Sequence, residues 1–429
     1  MSIYPVYIPN SVNHRLNSLF KKIEIVCIVL LFIVNFDAKN FGFEGILNSS
    51  SYVLLFFLIF FRWKRCIYVA TKDLSLLLLV AVVMLSFLWS ADIDSTLGVS
   101  RSVLRAFLFG VYLAAQYQPK EFLQLMLKMF GAALVLNIIF SSVVIAIGQP
   151  GLAVAMNNNE SSWQGFLTHK QYLGRMMAHS SLLFLLSALS NKRLRLIYWL
   201  GFIFSLLFLI LSQSKTALLI FLLGLSMLPI LKLANLKYKL RTIIYIISIF
   251  IIGTIVILIF SNFETVVVDI LRKPPDLNGR LDMWNLAIQA GLKHPWLGYG
   301  WGGFWNSSEA WSVISNVPWV ANVVLSSNKM SFHSHNGYIE IFLQLGIIGL
   351  LIFAFTVLLT LKRILKLLHL TNSVESLWML VFITTSLLGL VSETLVMLGG
   401  HTIFSIYVSI VLLTKMWDVE LNLVKSSKV

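Results

Sequence analysis

Charged residues are scarce in this chain. Asp, Glu, Lys and Arg make up 12% of its 429 residues, whereas an ordinary soluble domain carries roughly 25%. This scarcity excludes a water-soluble globular protein. Cysteine is nearly absent too, and Cys27 and Cys66 fall in or beside early apolar runs, so we expect neither a disulfide nor a metal site from them.

Long apolar runs take the place of the missing charge. Hydrophobic residues form 58% of the chain, and the mean hydropathy is +0.85. Runs of this length predict membrane-spanning helices, so we expect an all-α integral membrane protein with about twelve transmembrane helices. The predicted spans lie near 23–40, 46–61, 73–90, 97–116, 121–148, 170–190, 195–211, 215–234, 241–260, 336–360, 374–395 and 399–416.

Acidic residues are fewer than basic ones, with 18 Asp and Glu against 33 Lys and Arg. The cations recur in alternate predicted loops, which is typical of cytoplasmic loops, so both termini are placed in the cytoplasm. Topology accounts for the positive charge, and no nucleic acid is expected as a partner.

The predicted segments are a cytoplasmic N-terminus 1–22, nine helices 23–260 that open with an uncleaved anchor, a large extracytoplasmic loop 261–335, three helices 336–416 and a cytoplasmic tail 417–429.

The loop before the tenth predicted span ends in two histidines. The string His333-Ser-His335-Asn336 passes directly into an apolar run, so His335 should lie near a helix N-terminus, where exposed N–H groups favour anions. Imidazole, with an unperturbed pKa of about 6.5, suits proton transfer near neutral pH. The alternative is a polar cap at the membrane surface. Two His two residues apart without Cys or acidic neighbours make a poor metal site, so neither a metal nor a cofactor is expected.

Cations also occur on the predicted outer side, against the usual bias. Lys170 and Arg175 open the sixth predicted span, and Lys215 lies between two apolar runs. Such residues either reach lipid phosphates or face a cavity that holds an anionic substrate.

The long outer loop is rich in tryptophan, holding six of the chain's twelve. The string Gly279-Arg280-Leu-Asp-Met-Trp284 leads into a Gly- and aromatic-rich run that ends at Trp305. Indole faces suit stacking on sugar rings, although an aromatic belt at the membrane surface is the other interpretation. The planar fork of Arg280 suits phosphate oxygens.

Further polar residues fall inside predicted spans. Arg101 and Arg105 lie on one helical face. They line a cavity, pair with Glu393 or Asp73, or hold a structural position at the membrane interface. His179 and His401 are interpreted as packing residues.

Four of these motifs, in order over roughly residues 160 to 350, resemble the O-antigen ligase and O-antigen polymerase family. The most specific is His335-Asn336, nine residues, then Gly346-x-x-Gly349. The string Gly165-x-x-x-His-Lys-Gln171-x-x-Gly174 is similar to the exopolysaccharide-polymerase branch, with Gln where that pattern usually has Asn. Lys215 stands where the ligase branch has Arg, and Arg280 and Trp284 match a third motif.

The resemblance implies a GT-C-like polytopic bundle with a long extracytoplasmic loop between spans nine and ten. It also implies a bacterial inner-membrane glycosyltransferase whose active site faces the periplasm. The donor would be an undecaprenyl-diphosphate-linked oligosaccharide and the acceptor a glycan or a lipid-linked chain, with membrane lipids and a chain-length regulator as further partners. Polymerisation of repeat units is favoured; a ligase that transfers to a terminal acceptor such as lipid A–core, and a small-anion transporter, are the alternatives.

The same resemblance assigns roles to individual residues. His335 is the expected base of a metal-independent, inverting transfer. Arg280 and Lys215 are expected to hold the diphosphate. The remaining expected substrate contacts are Lys170, Arg175, Asn336, His333, Trp284 and Trp305.

Overall fold

Helices make up most of the structure, a computed structural model that describes residues 14–34, 44–157, 160–229, 280–317, 332–391 and 400–426. In chain order they are α1 His14–Val34, α2 Glu44–Phe60, α3 Trp63–Ala70, α4 Leu74–Leu85, α5 Ile93–Gln116, α6 Pro119–Ala146, α7 Lys170–Ser190, α8 Arg195–Leu211, α9 Lys215–Met227, α10 Arg280–Gly291, α11 Trp311–Ile314, α12 Gly337–Thr371, α13 Val374–Leu390 and α14 Thr402–Ser426.

Five of the described helices are long and apolar enough to cross a membrane, namely α5, α6, α7, α12 and α14. A sixth span is formed if the bent pair Trp63–Ala70 and Leu74–Trp89 is counted as one. This composition is that of an all-α membrane protein. Every predicted span overlaps a described helix except 241–260, which lies outside the described residues, so the count of twelve stays a prediction.

Several helices begin at a polar side chain that caps free backbone N–H groups. Asp73 accepts from Leu76 N at 3.0 Å ahead of α4, and Asp92 does the same for α5. Ser214 caps α9 and Ser373 caps α13. Such caps satisfy donors that a helix cannot satisfy internally, which explains why these apolar runs start where they do.

The segment between α2 and α4 differs from the predicted loop. It forms the short helix α3, which meets Leu74–Trp89 at a bend of 99°. Cys66 and Val69 face inward, whereas Trp63, Ile67 and Tyr68 are exposed. An amphipathic helix of this kind, with cations beside it, is typical of a helix that lies along a membrane surface.

The helix α12 is broken at Gly346, although hydropathy predicts an unbroken span over 336–360. Gly346 has φ 65° and ψ −167°. A loop segment satisfies the backbone groups that the break sets free: Ile347 N donates to Pro295 O at 2.8 Å, and Gly300 N donates to Gln344 O at 2.9 Å. Backbone at membrane depth departs from helix only where other polar groups replace the lost hydrogen bonds.

A two-stranded antiparallel hairpin lies between α6 and α7, where only a loop was expected. Strand β1 is Val154–Asn157 and strand β2 is Glu160–Trp163, with Val154 opposite Trp163. The ring of Trp163 packs edge-on against Phe208 of α8, with centroids 5.7 Å apart. This contact fixes the hairpin to the helix bundle.

The described part of the long loop has a small core of its own beside the main core of the bundle. Its buried side chains are Met283, Ala287, Ala290, Tyr299, Phe304, Trp305, Ala310, Val313, Ile314, Val317 and Leu343 of α12. Trp301 instead enters the main core, where it is 1% exposed, and its backbone N–H donates to Ser86 Oγ at 3.0 Å. The loop is therefore fixed on the bundle.

One end of the bundle, here called the loop end, holds residues 294–317 and 332–336. The rings of Phe122 and Trp378 are 5.8 Å apart, so the starts of α6 and α13 lie at the same end of the bundle. Tyr338 OH donates to Leu387 O at 2.9 Å, so α12 runs antiparallel to α13. The start of α12 and the ends of α6 and α13 therefore share the loop end.

The starts of α7, α9 and α14 lie at the loop end as well. A Cβ on Gly174 would be 2.7 Å from Ser214 Cβ, and one on Gly224 would be 2.3 Å from Leu182, so α7 and α9 run parallel. The loop before α7 donates from Phe166 N to Asn137 Oδ1 near the end of α6.

The helix α14 runs beside α5, and His401 lies just before its start. Gly400 packs on Ser102, and Ser409 Oγ donates to Gly110 O at 3.0 Å. Asn306 Nδ2 donates to Ser95 Oγ, which places the start of α5 at the loop end. The loop before α7, the turn before α9, the described part of the long loop and His401, all on the predicted outer side, thus lie at one end of the bundle. The ion pair of Asp73 with Arg363 marks the opposite end.

Candidate functional site

The two histidines of the loop end lie side by side. The ring centroids of His333 and His335 are 4.2 Å apart, and both residues are half-buried. His335 has φ 50°, a left-handed conformation that is uncommon outside glycine although His is enriched there. This turn brings the chain to Asn336, whose Oδ1 accepts from Tyr338 N at 3.0 Å and Ile339 N at 3.2 Å and so starts α12. The oxygen of Asn336 therefore serves the helix.

A buried carboxylate fixes the segment that carries the histidines. Glu340 is 1% exposed and accepts from Ser334 N at 2.9 Å and from Trp305 Nε1 at 2.8 Å, with a third bond from Gln344 Nε2. A carboxylate buried this deeply is stable only with such donors. Because Ser334 stands between the two histidines, Glu340 holds the backbone that carries both imidazoles.

Sequence reasoning gave Glu340 no role. The signal that points to it is a lone acidic residue in the first turn of an otherwise apolar span, since such a residue in a membrane helix is rarely without a function. Sequence spacing alone does not reveal its partner Trp305, which lies 35 residues earlier in the chain.

Trp284 and Trp305 hold the histidine segment in place. Trp284 Nε1 donates to Ser334 O at 2.8 Å. Trp305 is 3% exposed, so its ring offers no open face to a sugar, which does not support the interpretation as a stacking surface. The indoles that are exposed in the described part of the loop are those of Trp296 and Trp311, at 67% and 44%.

Arg280 is carried by the helix that supports the histidine segment. It opens α10, one turn before Trp284 and on the same helical face. The helix packs on α12, where a Cβ on Gly291 would be 2.6 Å from the ring of Phe342. Arg280 is half-buried. The bond from Trp284 to Ser334 O therefore joins the helix that carries Arg280 to the segment that carries His335.

A second cluster brings together Lys170, Arg175 and Lys215. Lys170 and Lys215 are the first residues of the parallel helices α7 and α9, which touch at Gly174 and Ser214. The Arg175 guanidinium is buried against the Tyr172 ring, 4.9 Å from its centroid. Cations at helix N-termini oppose the helix dipole, and an anion bound among them would relieve this unfavourable arrangement.

Glycines of the polymerase-like string explain how that cluster forms. Gly165 has φ 58°, and a Cβ there would be 1.9 Å from Asn137 Oδ1. His169 Nδ1 accepts from Gln171 N at 3.3 Å and caps α7. Gly174 permits the close approach of α9. These three positions shape the backbone, while Lys170 and Arg175 carry the charge.

The structure gives Arg105, one of the two arginines in the fourth predicted span, neutral polar partners. Arg105 donates to Asn48 and, at 2.8 Å, to Ser51 Oγ. Asp73 pairs with Arg363, which excludes it as the partner of Arg105, and Glu393 lies outside the described residues. His179 is buried, 4.8 Å from the ring of Phe382, as a packing residue would be.

Asp92, near the loop end, serves as a helix cap. The sequence has one Asp-x-Asp string, Asp92-Ile93-Asp94, a pattern that can hold a metal-bound nucleotide diphosphate. Asp92 Oδ2 accepts from Ser95 Oγ at 2.7 Å and its other oxygen caps α5. Among the described residues, no group of three or more His, Cys, Asp or Glu could hold a metal ion.

These features define a class: a multi-pass α-helical membrane protein with a polar, cationic and imidazole-bearing site at one end of its bundle. Residues 200–354 match the family model described as O-antigen ligase. The match confirms the resemblance seen in the sequence and supports an O-antigen ligase/polymerase-like family, whose members transfer glycans between lipid-linked donors and acceptors. It spans Lys215, Arg280 and His335 and ends within α12. No curated protein matches the sequence.

Proposed function

We propose that this protein polymerises oligosaccharide repeat units carried on undecaprenyl diphosphate, at the periplasmic face of a bacterial inner membrane. The observation that supports this most is the gathering, at the loop end, of a held imidazole pair, Arg280 and the cluster of Lys170, Arg175 and Lys215. An activated donor with a diphosphate leaving group needs cations, and an attacking alcohol needs a base.

The proposed reaction is a direct displacement at the anomeric carbon. His335 takes the proton of the acceptor hydroxyl while the hydroxyl oxygen forms the new bond to that carbon. The bond from the carbon to the diphosphate oxygen breaks, its electron pair leaves with the diphosphate, and the configuration inverts. Arg280 and Lys215, with Lys170 and Arg175, stabilise the charge on the leaving group.

The neighbouring residues position these groups. His333 lies against the ring of His335, and Trp284 and Glu340 hold Ser334 between them. A base that is fixed before the acceptor binds lowers the entropy cost of the reaction. No step requires a metal ion, because the cations and the imidazole supply both charge stabilisation and proton transfer.

The polymerase is favoured over a ligase by the His169-Lys170-Gln171 string and by Lys at position 215. The two activities share a donor and differ in the acceptor. Purified protein incubated with a lipid-linked repeat unit alone should form a ladder of products. A single capped product that requires an added terminal acceptor would show a ligase, and uptake of a small anion into proteoliposomes without glycan transfer would show a transporter.

Replacement of His335 tests the proposed base. We expect His335→Gln to lower transfer at least about 100-fold, since a general base contributes that much or more. The matched control is His369→Asn, an exposed histidine at the far end of α12, which should keep normal activity. Transfer at the wild-type rate in His335→Gln would remove the assignment.

A further inference from the structure

A groove of about 490 Å³ opens at the end of the bundle opposite the loop end. It lies between the start of α4 and the part of α12 from Leu351 to Arg363, and Lys415 of α14 borders it. None of its lining residues belongs to the proposed glycan site, so a ligand of this groove would differ from the glycan donor and acceptor.

The mouth of the groove is cationic. Lys72, Arg363 and Lys415 line it together with one carboxylate, Asp73, which leaves a surplus of two positive charges (three cations minus one anion). Asp73 is 2% exposed and is satisfied by Arg363, by Ser75 Oγ and by the cap of α4. The ion pair therefore fixes Arg363, while the half-buried Lys72 and Lys415 supply the surplus charge.

The walls of the groove are apolar. Leu74, Leu78, Leu351 and Phe355 line it and are 77%, 50%, 62% and 58% exposed. Exposed side chains of this size, along the apolar helix α4 and the spanning helix α12, face lipid chains in a membrane protein. A ligand that matches both the cationic mouth and the apolar walls needs an anionic headgroup and a hydrocarbon tail.

The helix α3 shows at what depth the mouth lies. It meets α4 at 99° and exposes Trp63, Ile67 and Tyr68, as a helix lying in the membrane interface does. Lys72 sits at the junction of α3 and α4, with its ammonium 3.9 Å from the centroid of the Tyr68 ring. The cationic mouth is thus at headgroup level, and the apolar walls run from there along the acyl chains.

We propose that this groove binds an anionic phospholipid of the membrane leaflet at the end opposite the glycan site. Its phosphate lies among Lys72, Arg363 and Lys415, and one acyl chain lies along Leu78, Leu351 and Phe355. Charge complementarity selects an anionic over a zwitterionic headgroup, and the apolar walls select a lipid over a free phosphate. Because the groove shares no residue with the glycan site, the proposal does not depend on the glycan chemistry.

Native mass spectrometry of the full-length detergent-purified protein tests the headgroup preference. The wild type should bind dioleoyl phosphatidylglycerol at least tenfold more tightly than dioleoyl phosphatidylcholine. Lys415→Gln and Lys72→Gln should each lower the affinity for phosphatidylglycerol about fivefold, as expected for the loss of one lysine near a lipid surface. Lys362→Gln, an exposed cation next to Arg363 that does not line the groove, should leave affinity unchanged. Equal affinity for both lipids, or an equal loss in Lys362→Gln, would overturn the proposal.

Truncation of a side chain in the apolar wall tests whether the groove holds the acyl chain of the lipid. Phe355→Ala should shorten the residence of phosphatidylglycerol, whereas Leu358→Ala, which is 64% exposed on the same helix but outside the groove, should not. Glycerol phosphate, the head without a tail, should bind at least tenfold more weakly than the lipid. Equally tight binding of glycerol phosphate, or of a polyprenyl phosphate in place of the phospholipid, would show that the groove serves another ligand.

Discussion

At the scale of single residues, the site depends on Glu340 as much as on the histidines. Its two oxygens accept from the backbone between His333 and His335 and from the indole of a distant tryptophan. The sequence showed the histidines, because their spacing to Gly346 and Gly349 resembles a family signature. It did not show Glu340 as a partner, because the contact with Trp305 exists only after the loop has folded onto α12.

Substitution of Glu340 tests this positioning role. In Glu340→Gln an amide NH2 group replaces one carboxylate oxygen and faces a hydrogen-bond donor that the oxygen had accepted from. We therefore expect a loss of about 1–3 kcal/mol in the free energy of unfolding. We also expect a fall in kcat of about tenfold or more, because a small misplacement of the reacting groups costs rate.

The measurement compares initial transfer rates and thermal unfolding of the detergent-solubilised variant with those of Glu309→Gln. Glu309 is an exposed acid in the same loop, and its replacement should change neither property. Wild-type kcat in a folded Glu340→Gln protein would mean that the carboxylate does not position the imidazoles.

At the scale of elements, hydropathy predicts where most spanning helices lie but not where they break. The spans near 97–116, 170–190 and 195–211 begin or end within a few residues of α5, α7 and α8, because apolar length sets them. The break in α12 at Gly346 was missed, since the residues on both sides are equally apolar. Its cause is non-local: the backbone of residues 295–300 enters the gap.

Gly346→Ala tests whether the break in α12, where residues 295–300 pack, requires glycine. A Cβ at this position would lie 2.3 Å from the backbone carbon and oxygen of Trp296, at φ 65°. We expect destabilisation of at least about 2 kcal/mol, from the left-handed conformation together with the clash. The readout is the midpoint of thermal unfolding in detergent, with glycan transfer measured alongside.

The matched control is Gly98→Ala, in α5. A Cβ at Gly98 would meet nothing within 4 Å, and alanine favours helix over glycine by roughly 0.8–1.0 kcal/mol. Its midpoint should stay level or rise. Equal midpoints for Gly346→Ala and the wild type would show that loop and helix are not joined as described.

At the scale of the whole molecule, polar chemistry is divided between the two ends of the bundle. Imidazoles and the Lys170, Arg175 and Lys215 group lie at the loop end, while the Asp73–Arg363 pair and the cationic groove lie at the other. The alternation of loop charges predicted this division, because cations gather on the cytoplasmic side. Composition could not predict the separate core of the loop, which arises from contacts between residues far apart in sequence.

Surface labelling tests which end faces outward. In a variant with Cys27 and Cys66 replaced, Ser312→Cys at the loop end should react with a membrane-impermeant maleimide in intact cells. Lys192→Cys, exposed between α7 and α8 at the opposite end, should react only after the cells are opened. The reverse pattern would place the proposed glycan site in the cytoplasm.

Photolabelling with a lipid-linked donor locates the reaction most directly. A photoactivatable group on the sugar next to the diphosphate, carried by an otherwise intact undecaprenyl-diphosphate oligosaccharide, would be activated on the purified protein and mapped by peptide mass spectrometry. We predict labelled peptides from 165–175, 212–217, 280–291 and 332–345, with loss of the label when unlabelled donor is added in excess. Competed labelling confined to the opposite end, around 359–372 or 415–423, would contradict a glycan site at the loop end.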